Sequence, residues 1–173
     1  MAQAEAEAVV GSSADVARSY FDAVAARDVD AMLGHWDAEG TGYIHGMVDE
    51  VRIPETYRGW FADFFRSFPD LSFEVIELIA EGERAAVSWR ATGTFTGPTP
   101  FEGLIPNGAR VKAEGCDLLT IRDGRIVSIY AYTNALENAR QLGAMPPRGS
   151  LADRAMLGAA NLKTRVGRLT RRS

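Results

Sequence analysis

The chain has 173 residues, of which 46% are apolar and 24% charged, and these values are typical of one globular domain with a buried core. A net charge of −4 gives no basic surface for nucleic acid, and the single cysteine, Cys116, excludes an intramolecular disulfide. The first residues carry acids where a signal peptide carries positive charge, and no stretch approaches the roughly 18 consecutive apolar residues of a membrane span. We therefore expect a soluble, cytoplasmic protein that does not bind nucleic acid.

The first part of the chain is rich in helix signals. We expect residues 1–13, which are rich in Ala and Glu, to be a disordered lead-in. Apolar residues at helical spacing predict an amphipathic helix over residues 14–28. A second, short helix is predicted over residues 29–36, with Trp36 on its apolar face.

A short strand and a third helix follow. Residues 40–46, which lie between glycines, predict the strand. Residues 54–68 predict a helix with a strongly aromatic face, because Pro54 is near its start and Pro69 stands just past its end.

After Asp70 the apolar pattern changes to period two, which predicts strands. The predicted strands cover residues 72–80, 85–97, 109–121 and 126–134. Asp123 and Gly124 stand between the last two, and this dipeptide favours a type I′ hairpin turn. A short helix over residues 135–143 completes an α+β arrangement, in which a twisted sheet with helices across one face leaves an open end where a pocket can form.

This order of elements resembles the nuclear-transport-factor-like cone fold, which ketosteroid isomerase also uses. Three local stretches are similar to the SnoaL-like polyketide cyclase branch of that superfamily: GTFTG, PNGARVKAEG and IRDGRIVSIYAYTNALENARQLG. The resemblance covers residues 14–145 and leaves residues 146–173 as a separate basic tail. It implies three N-terminal helices packed on a strongly curved, mostly antiparallel sheet, and it implies a homodimer.

The resemblance also implies a chemistry. In SnoaL-like cyclases a pocket carboxylate removes a carbon-bound proton from an anthraquinone-type methyl ester, the ring closes by an intramolecular aldol reaction, and no metal or organic cofactor takes part. Asn134 stands at the position of that family's base. An amide does not accept a proton at neutral pH, so this chain needs another base if it is an enzyme.

Strand alternation identifies Asp117 as a candidate catalytic residue, acting as acid or as base. It is the only charged residue on the strand face that it shares with Val111, Ala113, Gly115, Leu119 and Ile121. Burial on such a face raises the pKa of a carboxyl group. The resemblance to ketosteroid isomerase places Asp117 near that enzyme's neutral acid, which donates a hydrogen bond to the developing enolate. A purely structural Asp that accepts hydrogen bonds from its neighbours is the alternative.

Three further polar residues are candidates for the site. Tyr132 and Asn134 could orient a carbonyl or hydroxyl group if their face of the last strand is the pocket face, although Asn134 could equally cap the helix that follows it. His45 on the short strand could shuttle a proton, so it is a further catalytic candidate. Two isolated histidines form no metal site.

Large aromatic side chains could line an apolar cavity for a small apolar or aromatic ligand, or they could simply form the core. The candidates are Tyr20, Trp36, Tyr43, Trp60, Phe64 and Trp89. Trp36 and Trp60 are expected on helices that face the sheet, and Trp89 on a strand.

Three functions are therefore open. The first is a cofactor-independent acid–base enzyme of cyclase or isomerase type, acting on a polyketide-derived or other cyclic carbonyl compound. The second is a non-catalytic small-molecule-binding protein that kept the fold and lost the base. The third is an epoxide-hydrolase-type reaction, which requires two carboxylates that activate one water.

The basic tail is predicted to form an amphipathic helix. Seven basic residues and one acid in residues 144–173 give a charge of +6, which leaves −10 for the first 143 residues. This contrast favours docking on the acidic body of the same chain or of a second subunit. Contact with an anionic membrane or with a partner protein is the alternative.

Overall fold

A six-stranded sheet and five helices make up the computed structural model over the residues that it describes, 12–44, 48–52 and 55–170. The helices are α1 (Ser13–Ala26), α2 (Val29–Gly34), α3 (Glu55–Ser67), α4 (Ala135–Gln141) and α5 (Leu151–Thr170). The strands are β1 (Trp36–Ile44), β2 (Val48–Arg52), β3 (Ser72–Glu81), β4 (Arg84–Thr94), β5 (Arg110–Arg122) and β6 (Arg125–Thr133).

The strands are ordered β2-β1-β6-β5-β4-β3, and every neighbouring pair is antiparallel except β1 with β6. The tight turn between β5 and β6 has positive φ at both central residues, Asp123 (49°) and Gly124 (74°), as the sequence predicts. The α+β cone fold with a C-terminal helix is confirmed.

The core lies between one face of the sheet and the first helices. α1 begins with a capping box in which Ser12 and Asp15 satisfy each other's backbone N–H groups, and it buries Tyr20 and Phe21 against β3, β4 and β5. From the sheet, Val87, Leu119 and other apolar side chains complete this cluster. The concave face of the sheet, which the helices cover, therefore forms one wall of the interior of the cone.

Three details differ from the sequence predictions. Trp36 begins β1 instead of ending a helix, because α2 stops at Gly34 and Trp36 pairs with Ile126 of β6. The predicted short strand therefore starts earlier than expected, and β2 was not predicted at all.

Residues 1–11 of the predicted lead-in and His45 lie outside the described residues. Of the helices that the structure describes, none is both long and apolar enough to cross a lipid bilayer.

The C-terminal helix α5 is attached to the body through its first turn. The buried carboxylate of Asp153 accepts a hydrogen bond from the backbone of Gly149 (2.9 Å) and lies 3.7 Å from the guanidinium of Arg140 on α4. The hydroxyl of Ser150 caps the helix by accepting from the backbone N–H of Asp153 (3.1 Å). Beyond this turn, the described side chains of α5 are exposed except at Gly167, which is half-buried.

Candidate active site

An apolar cavity of about 150 Å³ lies between the concave face of the sheet and helices α1, α3 and α4. Aromatic side chains dominate its wall, and the polar side chains that line it are few: Tyr20, Tyr57, Trp60, Trp89, Asp117, Thr133 and Asn138. The N–H of Trp60 is bound by Glu102 (2.8 Å), in the connection between β4 and β5. A ligand in this cavity would therefore meet mostly hydrocarbon surface and a small number of placed hydrogen-bonding groups.

Asp117 is the carboxylate that the described residues bring into this cavity. It is 7% exposed, and its Oδ1 accepts a hydrogen bond from Nε1 of Trp89 at 2.8 Å. Burial raises the pKa of Asp117 from 3.8 to about 7, and the Trp89 hydrogen bond offsets part of this increase. Near neutral pH the group is consequently present in both protonated and ionised forms.

The indole of Trp89 occupies a space that a glycine on the neighbouring strand leaves open. Gly115 pairs with Trp89 across β4 and β5, and a Cβ atom at Gly115 would overlap the Trp89 ring and the backbone oxygen of Tyr132. Phe73 also packs against the indole, with ring centroids 5.3 Å apart. The absence of a side chain at Gly115 therefore gives Trp89 the space from which its N–H reaches Asp117.

Two tyrosine hydroxyls form the second polar group of the cavity. The hydroxyls of Tyr20 on α1 and Tyr57 on α3 are 2.5 Å apart, and both side chains are almost fully buried. Burial raises the pKa of both hydroxyls, and the negative charge of nearby Asp117 raises them further. Both phenols are therefore neutral over the physiological range, and a mutual hydrogen bond uses only one of their two protons.

Trp36 lies behind this pair. Its ring contacts Tyr57 and Tyr20, with centroids 5.2 and 6.2 Å away. Its buried Nε1 makes no hydrogen bond of normal geometry to the described residues, but its N–H is directed at the Tyr20 hydroxyl closely enough to lower the pKa of that group.

The family model for the SnoaL-like domain matches residues 17–129, which is most of the cone. The chain belongs to the SnoaL-like family. Comparison with curated protein sequences gives no significant match.

Solved structures of several bacterial proteins share this SnoaL-like fold. AclR from Streptomyces galilaeus, a candidate hydroxylase, has a TM-score of 0.68 and 25% identity, covering 78% of this chain and 97% of its own. A candidate SnoaL-like polyketide cyclase from Jannaschia sp. CCS1 has a TM-score of 0.70 and 24% identity, covering 83% and 99%. IdmH from Streptomyces antibioticus, a candidate polyketide cyclase, has a TM-score of 0.65 and 20% identity, covering 77% and 99%.

Five of the residues predicted for the site line the cavity: Tyr20, Trp60, Phe64, Trp89 and Asp117. Trp36 does not line it but supports the tyrosine pair from behind, on a strand instead of the predicted helix.

Tyr132 and Asn134 do not face the cavity, and the interpretation of their strand face as the pocket face is wrong. On β6 the cavity is lined by Ile129, Ala131 and Thr133, whereas Tyr132 is 44% exposed on the opposite face. The exposed side chain of Asn134 caps α4 by accepting from the backbone of Glu137 at 3.1 Å.

Tyr43 also lies away from the cavity of this SnoaL-like chain, since its ring stacks on Tyr130 of the outer face at 4.8 Å between centroids. His45 is outside the described residues, so its role stays a prediction. Within the described residues no group of three His, Cys, Asp or Glu side chains is placed to hold a metal ion.

Three polar residues of the cavity wall, Tyr57, Thr133 and Asn138, are not among the candidates that the sequence gives. The Nδ2 of Asn138 donates to Oγ1 of Thr133 (3.2 Å), which itself donates to the backbone oxygen of Glu114 (3.2 Å). A polar residue one helical turn after Asn134, on the inner side of α4, was the available signal.

Proposed function

We propose that this protein is a cofactor-independent acid–base enzyme of cyclase or isomerase type, which acts on a polyketide-derived or other cyclic carbonyl compound. The observation that carries the proposal is Asp117, a carboxylate with a pKa of about 7 that lines an apolar cavity. A general base works best when its pKa is close to the working pH, and burial has tuned Asp117 to that range.

In the proposed reaction Asp117 removes a proton from the carbon next to a carbonyl group of the ligand. The electron pair of the broken C–H bond forms a C=C double bond, and the carbonyl oxygen takes the negative charge. Return of the proton to another carbon completes an isomerisation. Attack of the enolate carbon on a second carbonyl forms a C–C bond and, after protonation of the new alkoxide by Asp117, completes an aldol closure. Both products have the mass of the substrate.

The tyrosine pair is suited to hold the carbonyl oxygen during this step. Tyr20 and Tyr57 line the same cavity as Asp117, and the proton that their mutual hydrogen bond leaves over can be donated to a ligand oxygen. A neutral donor in an apolar cavity stabilises a developing oxyanion more strongly than a donor in water does.

The size of the cavity bears on the ligand. A volume of about 150 Å³ resembles that of an apolar cavity that holds one benzene ring. A single reacting ring therefore fits the enclosed space, and further rings of a polycyclic ligand would have to extend beyond it.

The second candidate function is non-catalytic binding of a small apolar molecule. It is favoured by Asn134, since the family's base position holds an amide that caps α4. Epoxide hydrolysis ranks third, because Asp117 is the lone carboxylate that the described residues supply to the cavity, and that reaction requires two.

The test is conversion of a panel of cyclic ketones with one to four rings and of anthraquinone methyl esters, followed by chromatography with mass detection. We expect a product of unchanged mass from the wild type and at least about a hundredfold lower rate from Asp117→Asn, because an amide cannot act as the base. The wild-type kcat/KM should fall as the pH drops below about 7, where Asp117 becomes protonated.

Asp123→Asn is the matched control. It makes the same chemical change in the exposed β5–β6 turn, where Asn also accepts positive φ, so its rate should equal that of the wild type. Equal rates in wild type and Asp117→Asn would eliminate Asp117 as the base. Binding of panel compounds without turnover would support the binding protein instead.

A further inference from the structure

Asp117 is a buried carboxylate to which the described residues offer no positive partner. The cavity wall that they form includes no Lys, Arg or His side chain, and no basic group lowers the pKa of Asp117. Its Oδ1 accepts from Trp89, whereas Oδ2 accepts no hydrogen bond from the part of the chain that the structure describes. Burial opposes the ionised form of such a group, and a positive charge on a ligand would offset that opposition.

Aromatic rings form most of the remaining wall. They come from α1, α3, β3 and β4, and among them are Tyr57, Phe61, Phe64 and Phe73. The face of an aromatic ring carries negative electrostatic potential, so it attracts an organic cation, most strongly where water is excluded. Proteins recognise quaternary ammonium groups with walls of this kind, and a carboxylate in the wall adds the opposite charge.

Both indoles that line the cavity donate their N–H groups to carboxylates. Trp89 donates to Asp117 and Trp60 donates to Glu102, each at 2.8 Å. Glu102 is exposed in the connection between β4 and β5, so its negative charge lies beside the part of the wall that Trp60 forms. An anionic acceptor increases the electron density of an indole ring, and this strengthens the attraction of the ring for a cation.

We infer that the cavity binds a small organic cation, about the size of one six-membered ring, whose charged nitrogen lies against the carboxylate of Asp117. A volume of about 150 Å³ suits one ring. A hydrated metal ion does not suit it, because the cavity would offer one carboxylate among apolar groups in place of the oxygen ligands of water. The inference goes beyond the proposed function, since it concerns binding at equilibrium and holds whether or not the protein catalyses a reaction.

Binding of a permanent cation should depend on the ionisation of Asp117. Its cross-strand neighbours, Val87 and Ala131, carry no charge. The other ionisable groups around it are Tyr20 from α1, Tyr57 from α3, Cys116 on its own strand and, behind Tyr20, His35. Burial raises the pKa of the two phenols and of the thiol, so all three stay neutral up to pH 8, and burial lowers the pKa of the imidazole from 6.5. Asp117 is therefore the described group lining the cavity whose charge changes between pH 8 and pH 6.

Isothermal titration calorimetry with N-methylpyridinium and toluene tests the inference, because the two molecules share a shape and differ in charge. At pH 8 we expect the dissociation constant of N-methylpyridinium to be at least about threefold lower than that of toluene. From pH 8 to pH 6 it should increase about tenfold, since the ionised fraction of Asp117 falls by about that factor around a pKa of about 7. The dissociation constant of toluene should not increase over this range, because a neutral molecule does not need the charge.

Three variants separate the contributions. Asp117→Asn keeps the shape and removes the charge, so N-methylpyridinium should bind at least about tenfold more weakly at pH 8 and without pH dependence, while toluene binding stays within about twofold. Any contribution from His35 would persist in this variant. Glu102→Gln should weaken binding of the cation about two- to threefold and leave toluene unchanged. Asp123→Asn in the exposed β5–β6 turn is the matched control and should behave as the wild type with both ligands.

Several results would overturn the inference: no binding of N-methylpyridinium, equally tight binding of toluene at pH 8, or a cation affinity that does not change with pH or that survives Asp117→Asn. The wild-type pH series and Glu102→Gln decide the matter even if Asp117→Asn does not fold. Failure of the proposed function is a separate result, because it is measured by turnover of carbonyl compounds. Cation binding without turnover would support this inference alone, and turnover without cation binding would support the enzyme alone.

Discussion

Replacing Asp117 by Asn should change how the stability of the protein depends on pH. In the unfolded chain the carboxyl group has its ordinary pKa of 3.8, and in the folded chain burial raises the pKa to about 7. Between these values only the folded state holds the proton, so the free energy of unfolding decreases as the pH rises, by about 1.4 kcal/mol per pH unit. The stabilisation is complete below pH 3.8 and is lost as the pH rises through about 7, and its full size is roughly 4 kcal/mol.

Urea unfolding of the wild type and Asp117→Asn at a series of pH values between 5 and 8 measures this effect. All other titrating groups are common to both proteins, so the difference between their free energies of unfolding reports on Asp117. We expect this difference to change by roughly 3 kcal/mol across the series, in favour of the variant at high pH. Asp123→Asn should run parallel to the wild type. Parallel curves for Asp117→Asn would refute a raised pKa for the buried carboxyl group, and with it the physical basis of the proposed base.

Three other substitutions test how the cavity is built. Trp89→Phe removes the hydrogen bond that lowers the pKa of Asp117, so the midpoint of the pH-dependent stability should rise above about 7. Gly115→Ala should move this midpoint in the same direction, because the new methyl group displaces the Trp89 ring, and it should lower the free energy of unfolding by about 1 to 3 kcal/mol. An unmoved midpoint would contradict the conclusion that Gly115 leaves the space for the Trp89 ring. Tyr20→Phe leaves the Tyr57 hydroxyl buried without its partner, so it should lower the free energy of unfolding in urea by about 1 to 3 kcal/mol. It should also lower kcat by more than it changes KM. Unchanged stability would show that this hydrogen bond contributes nothing.

The position of Asp117 could be predicted because strand alternation is a local property. Residues two apart on β5 share a face, and one face is apolar apart from the carboxylate. A raised pKa follows from that burial without knowledge of any tertiary contact. The existence of the cavity, by contrast, depends on how α1, α3 and α4 close over the sheet.

The face of β6 could not be predicted, because its register depends on a bulge. A regular hairpin that starts from the Arg122–Arg125 pair would place Tyr130 opposite Asp117. In the structure the pairing changes from Ile121 with Ile126 to Thr120 with Ser128, so one extra residue enters β6 and Ala131 stands opposite Asp117. A shift of one residue turns every following side chain to the other face, which moves Tyr132 out of the cavity.

The hydrogen bond between Tyr20 and Tyr57 could not be predicted from the sequence either. Their hydroxyls meet across two helices, α1 and α3, between which the chain forms α2, β1 and β2, and no local pattern encodes that contact. The prediction that Trp36 belongs to the second helix is wrong because its spacing fits both the end of α2 and the start of a strand. Its pairing with β6 places it in a strand.

The parallel pairing of β1 with β6 has a consequence for the order of folding. It joins residues 36–44 to residues 126–131, so the loop-closure entropy of almost the whole cone opposes it, whereas the β3–β4 and β5–β6 hairpins form locally. The cavity has walls from both regions and is complete only after this late step. A true ligand should therefore bind the native state and no earlier intermediate, and at a hundred times its dissociation constant it would stabilise the fold by about 2.7 kcal/mol. Thermal melting of the unmodified protein is thus a direct screen for the unknown ligand, and it requires no assumption about the reaction.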